Sequence, residues 1–108
     1  MAYTTIGKVR NLFGFSEKDA SDEAITEFIA YVDSEVEDIT KKEWSGSEEH
    51  YGKVEEAATI FVGSLVYKRF RDKQQLSKQL WDEGEKKLRD LGRTPYTKAT
   101  SYEVVEET

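Results

Sequence analysis

Cysteine is missing from this 108-residue chain, histidine and proline occur once each as His50 and Pro95, and the seven glycines never stand together. Without cysteine there is no disulfide framework, no thiolate zinc site and no sulfur nucleophile. A single imidazole leaves one candidate base for a histidine-containing triad and excludes an H-E-x-x-H metal motif. Its neighbour three residues earlier is Ser47, so the Glu-x-x-His pair of di-iron bundles is absent too. Scattered glycines cannot build a phosphate-cradling loop. The first residues, MAYTTIGKVRNLFGF, have no apolar h-region or small-residue cleavage site, and the only asparagine, Asn11, lies outside a glycosylation sequon. A cytosolic protein is the expectation. The longest uncharged run, AATIFVGSLVY from Ala57 to Tyr67, is far shorter than the ~20 apolar residues a membrane-spanning helix needs, and Thr59, Gly63 and Ser64 interrupt it.

What the chain does have is charge, at 35% of its residues with a formal net of -6. That sign argues against a general binder of nucleic acid or of anionic membranes, which needs clustered cations to displace counterions. The distribution says more than the total. Residues 17–56 hold fourteen carboxylates against four cations, while residues 57–98 hold ten cations against five carboxylates. The molecule is electrically lopsided.

Apolar spacing predicts an all-α fold, a small bundle of about four helices over residues 1–92, followed by a polar, partly extended or flexible tail over 93–108. The first helix is expected from about Thr4 to Phe13, with Ile6, Val9, Leu12 and Phe13 on one face and Gly14 as its stop. In the second, capped by Ser21 or Asp19 and running to about Lys42, the residues Ile25, Phe28, Ile29, Val32, Val36 and Ile39 draw one apolar stripe. Lys41 and Lys42 would sit in its last turn, facing the helix dipole. Ser45 with Glu48 has capping-box spacing, Ser47 is the competing cap, and the third helix would continue to about Arg71. Beyond Ala57 that helix is apolar on nearly every side, the pattern of a helix enclosed by others. Leu76, Leu80, Leu88 and Leu91 mark a fourth helix ending at Gly92, and its mid-helix Gly84 implies close approach of a neighbour.

Catalytic arrangements are poorly supported. The carboxylate pairs Glu23/Glu27 and Asp33/Glu37 have the i, i+4 spacing of an acid-base or divalent-ion site, but nothing in the sequence buries them and a solvated acidic face is expected. His50 is expected to face solvent at the start of the third helix. The cations Lys68, Arg69, Arg71 and Lys73 end the core helix, where they complement its dipole; they could equally meet the acidic second helix of another copy. Trp44 packs over a helix end or anchors an interface. No catalytic residue, cofactor, metal or small-molecule substrate is expected.

Two segments, EFIAYVDSEVEDITKKEW and YGKVEEAATIFVGSLVYKRF, resemble the small head-tail connector proteins of tailed bacteriophages, also called adaptor or head-completion proteins. The features shared are an acidic helix ending near a Thr and a Trp, then a helix with a Tyr, an Ala-Ala step and a terminal aromatic-Lys-Arg element. The likeness covers about Ser21 to Asp72. It implies a structural virion protein that assembles as a homo-oligomeric ring, commonly dodecameric, under the portal of a DNA-filled capsid and presents a platform to the next tail-side connector. Location would be the host cytoplasm during assembly and then the head-tail junction. DNA would pass through without specific binding, and an acidic lumen would repel it. Interface candidates are Glu27, Glu35, Glu37, Trp44, Lys68, Arg69 and Arg71, with Tyr102 and Val104 in the tail. The alternative is a small cellular helical adaptor or regulator that binds a partner through Trp44 and the tail; a DNA-binding domain is weaker on charge.

Overall fold

Four helices make up the computed structural model, which describes residues 2–91: α1 Ile6–Phe13, α2 Asp22–Thr40, α3 Tyr51–Phe70 and α4 Gln74–Leu91. The fold is all-α, a small bundle. The expected tail, with Tyr102 and Val104, lies outside the described residues.

Helix ends follow local hydrogen bonding. The Thr5 side chain accepts the Lys8 N–H to open α1, and Gly14 closes it in the left-handed region at φ 73°, its N–H donating to the Arg10 carbonyl. For α2 the cap is Ser21, whose hydroxyl accepts the Ala24 N–H; Asp19 instead accepts the Ser16 N–H in the preceding turn. This helix stops at Thr40, two residues before the expected end, because Lys41 adopts φ 60°. Lys41 and Lys42 are therefore not a dipole-compensating last turn. The capping box is only half formed. Glu48 accepts the Ser45 N–H, but its own N–H goes to the Ser45 carbonyl, closing a turn that precedes α3, so the helix begins six residues after Ser45.

α3 is the axis of the fold, and α1, α2 and α4 all pack on it. Every residue from Ala57 to Ser64 is buried, as expected for an enclosed helix. The α2 stripe faces it, with Ile25, Ile29, Val32 and Val36 buried and Phe28 and Ile39 at its margins. Contacts of Phe28 with Phe70 at one end, and of Trp44 and Tyr51 with Tyr3 at the other, make α2 and α3 antiparallel. Helix α4 returns antiparallel to α3, with Ser77 beside Ser64, Trp81 against Phe61 and Lys87 near Glu56.

The inward face of α4 differs from the leucine series expected. Leu76 is exposed and Leu80 only half-buried; the buried positions are Ser77, Gly84 and Leu88, with Trp81 packed at the edge of the core. Close approach is the cause. The Ser64 hydroxyl donates to the Ser77 carbonyl at 2.6 Å, and a Cβ on Gly84 would stand 2.6 Å from the Phe61 ring, so only small residues fit along the seam. Gly63 plays the same part on the other side of α3, where the Phe13 ring occupies the space of its missing side chain.

Candidate docking surface

Between α2 and α4, over α3, lies an open cleft of about 560 Å³. Tyr31, projecting from α2, and Trp81, projecting from α4, form its walls with ring centroids 6.4 Å apart; Leu65 and Ser64 lie on the floor. Trp81 is fixed from below by Phe61, 4.3 Å between centroids, whereas Tyr31 keeps 53% of its surface exposed. Phe28 and Phe70, 6.0 Å apart, extend the aromatic patch toward the end of α3. Phe70 is itself 44% exposed. An exposed group of large aromatic side chains is the composition that anchors protein interfaces.

The rims carry opposite charge. The α2 wall has seven carboxylates and no cation between Asp22 and Thr40, whereas residues 68–82 of the opposite wall carry five cations against two carboxylates. Glu35 and Lys68 border the same cleft. Among the described residues no ion pair engages Glu27, Glu35, Lys68 or Arg69. Two other candidates are occupied. Arg71 reaches Asp19 at 2.6 Å, tying the end of α3 to the turn before α2, and Glu37 accepts the Tyr3 hydroxyl. Trp44 is half-buried; its indole N–H donates to the Thr40 hydroxyl at 2.9 Å and the Lys42 ammonium lies over its ring. It packs over the helix end.

Sequence reasoning overlooked the polar knot around Tyr3. This side chain is 1% exposed; its hydroxyl donates to Glu37 at 2.6 Å and accepts the Trp44 N–H at 3.0 Å, while its backbone N–H donates to Asp33. Asp33 and Glu37 are thus not a solvated acidic pair but the anchor of the N-terminal segment. Thr4 is buried beside it, sharing a hydrogen bond with the Thr59 hydroxyl. Nothing in the period of α1 flags either residue, because both precede the helix. Removing the hydroxyl in Tyr3→Phe strands two partners and is expected to destabilise by about 1–3 kcal/mol in urea unfolding.

Burial, reinforced by the Glu37 contact, pushes the Tyr3 phenol up to about 12 from its ordinary 10.0. The neutral phenol is therefore the form that folding favours. The contribution of Tyr3 to stability is full below pH 10 and is lost as pH rises from there through 12. Tyr51 is raised by burial as well. Titrating stability across that range is expected to give a shallower decline in Tyr3→Phe than in the unaltered chain. At the acid end Glu48, held low by the Lys42 ammonium and the Ser45 N–H, and Asp19, held low chiefly by the Ser16 N–H, contribute stability that is lost as pH falls through the carboxylate range.

His50 occupies the N-cap position of α3 without a capping bond from its side chain. Among the described residues no group of His, Asp and Glu could hold a metal ion, and no helix is long and apolar enough to cross a membrane. No protein-family model matches the chain, and neither a curated protein nor a solved structure matches it.

Proposed function

We propose that the protein is a non-enzymatic structural subunit, a phage-type head-tail connector that joins portal to tail as a homo-oligomeric ring. The layout of the cleft supports this reading more than any other feature: exposed aromatic rings lie between an α2 wall without cations and a cationic α3–α4 wall. Charges outside any ion pair of the subunit are available to a neighbour. Together with the likeness of α2 and α3 to connector helices, they favour an assembly role over chemistry. Lys68 and Arg69 of one subunit would meet Glu27 and Glu35 of the next, with Arg71 and Glu37 kept for internal contacts. DNA would pass an acidic surface without being held.

The experiment is assembly onto a purified portal ring, followed by electron microscopy. Lys68→Glu with Arg69→Glu is expected to abolish decoration of the portal while leaving the melting temperature of the free chain within a few degrees, because both side chains are exposed. Undiminished decoration would refute the charge contact. The adaptor reading through Trp44 loses support from the internal bonds that side chain already makes.

A further inference from the structure

We propose that the Tyr31–Trp81 cleft is a self-complementary interface through which two copies of the free chain pair about a two-fold axis running along the cleft. The inference rests on the placement of rings and charges and not on the connector reading. For a surface with an apolar stripe between an acidic and a basic flank, rotation by half a turn about an axis in the contact plane, parallel to the stripe, sets each flank against its opposite. This surface has that layout. Tyr31 and Trp81 form the stripe, Glu27 and Glu35 stand on the α2 side, and Lys68 and Lys78 stand on the α3–α4 side.

Proximity of the two flanks favours a two-fold pair for the free chain. In a head-to-tail contact each flank meets a different neighbour, whereas a two-fold contact lets one neighbour meet both. Here the acidic and basic residues border one cleft: Glu35 and Lys68 both line it, and the Phe28–Phe70 contact joins α2 to the end of α3 beside it. One copy covering that cleft satisfies both flanks at once, which closes the assembly at two when no portal holds the subunits in a ring. The occupant that fits is therefore a second cleft, its Tyr31 laid against the first copy's Trp81. Lys78, 3.8 Å from Asp82 in its own helix, is loosely enough held to turn toward a partner carboxylate. In a ring the same flanks would have to exchange this partner for others.

Sedimentation of the full chain in low salt, over a dilution series, is the test. The expected result is a monomer-dimer equilibrium that weakens as salt is raised and proceeds to no larger species. Tyr31→Ser, at a side chain more than half exposed, is expected to weaken pairing without lowering the melting temperature. Glu27→Lys with Glu35→Lys, and separately Lys68→Glu with Lys78→Glu, should each raise the dissociation constant at least about tenfold by setting like charges together. Mixed in equal amounts, the two charge-reversed proteins should recover a heterodimer. A chain that stays monomeric at its highest soluble concentration overturns the proposal. So does a dimer indifferent to these substitutions, a mixture that grows into longer species, or a dimer lost instead in Tyr102→Ser with Val104→Ser, which would make the tail the occupant. Failure here leaves portal decoration by the same chain to be judged separately.

Discussion

Phe61→Ala is expected to cost about 3–5 kcal/mol, a large part of the total stability of a domain this size. The ring is 0% exposed at the middle of α3, with the Trp81 ring 4.3 Å away on one side and the backbone of Gly84 beneath it. Removing it discards the transfer free energy of a large aromatic side chain and leaves a cavity that cannot collapse, since α4 is already held to α3 by the Ser64–Ser77 hydrogen bonds. Denaturant unfolding should show a lower midpoint. Trp81 would lose its support at the same time, so the cleft wall should loosen and any association through it should weaken along with stability. A loss below about 1 kcal/mol would mean that α3 is not the enclosed axis of the bundle.

Gly84→Ala is expected to destabilise even though alanine is the better helix former by up to ~1 kcal/mol. The added methyl would stand 2.6 Å and 2.8 Å from two carbons of the Phe61 ring. Neither side can yield easily: Phe61 is fully enclosed, and α4 would have to lift off α3, disturbing the buried contact between Ser64 and Ser77. Overpacking of this kind costs about 1–3 kcal/mol, which exceeds the propensity gain at most of that range. The check is a double-mutant cycle. With Phe61→Leu the branched side chain clears part of the space, so the loss on adding Gly84→Ala should be smaller than in the unaltered chain. Strict additivity would show that the two residues do not touch in the way described.

Much of this architecture is legible in the residue order alone. The α2 stripe Ile25–Ile39 and the unbroken apolar run of α3 each carry a single dominant signal, because helical periodicity and enclosure write themselves directly into residue order. Gly84 also announced a close approach. Where two signals competed, spacing misled. Leu76 and Leu80 keep a helical period with Leu88, but the seam between α3 and α4 is so narrow that Ser77 and Gly84 turn inward and Leu76 turns out. Ser45 and Glu48 have the spacing of a capping box yet close a turn ahead of the helix. The charged candidates divided in a way no spacing encodes. Arg71 and Glu37 found partners more than thirty residues away along the chain, in Asp19 and Tyr3, and so left the pool available to a neighbour.

The order of residues alone determined that the chain is helical, which helix is innermost, that it carries no thiol, and that negative and positive charge are segregated along the chain. These are local or compositional properties, set by side-chain type and by a period of 3.6 residues. Only the tertiary structure decided that Asp33 and Glu37 hold Tyr3, that Trp44 lies over a helix end, and that Tyr31, Trp81, Glu35 and Lys68 meet at one cleft. Such contacts depend on the angle and distance at which helices far apart in the chain cross, and that geometry is chosen by steric fit between small and large residues at the seams rather than by any pattern within one helix.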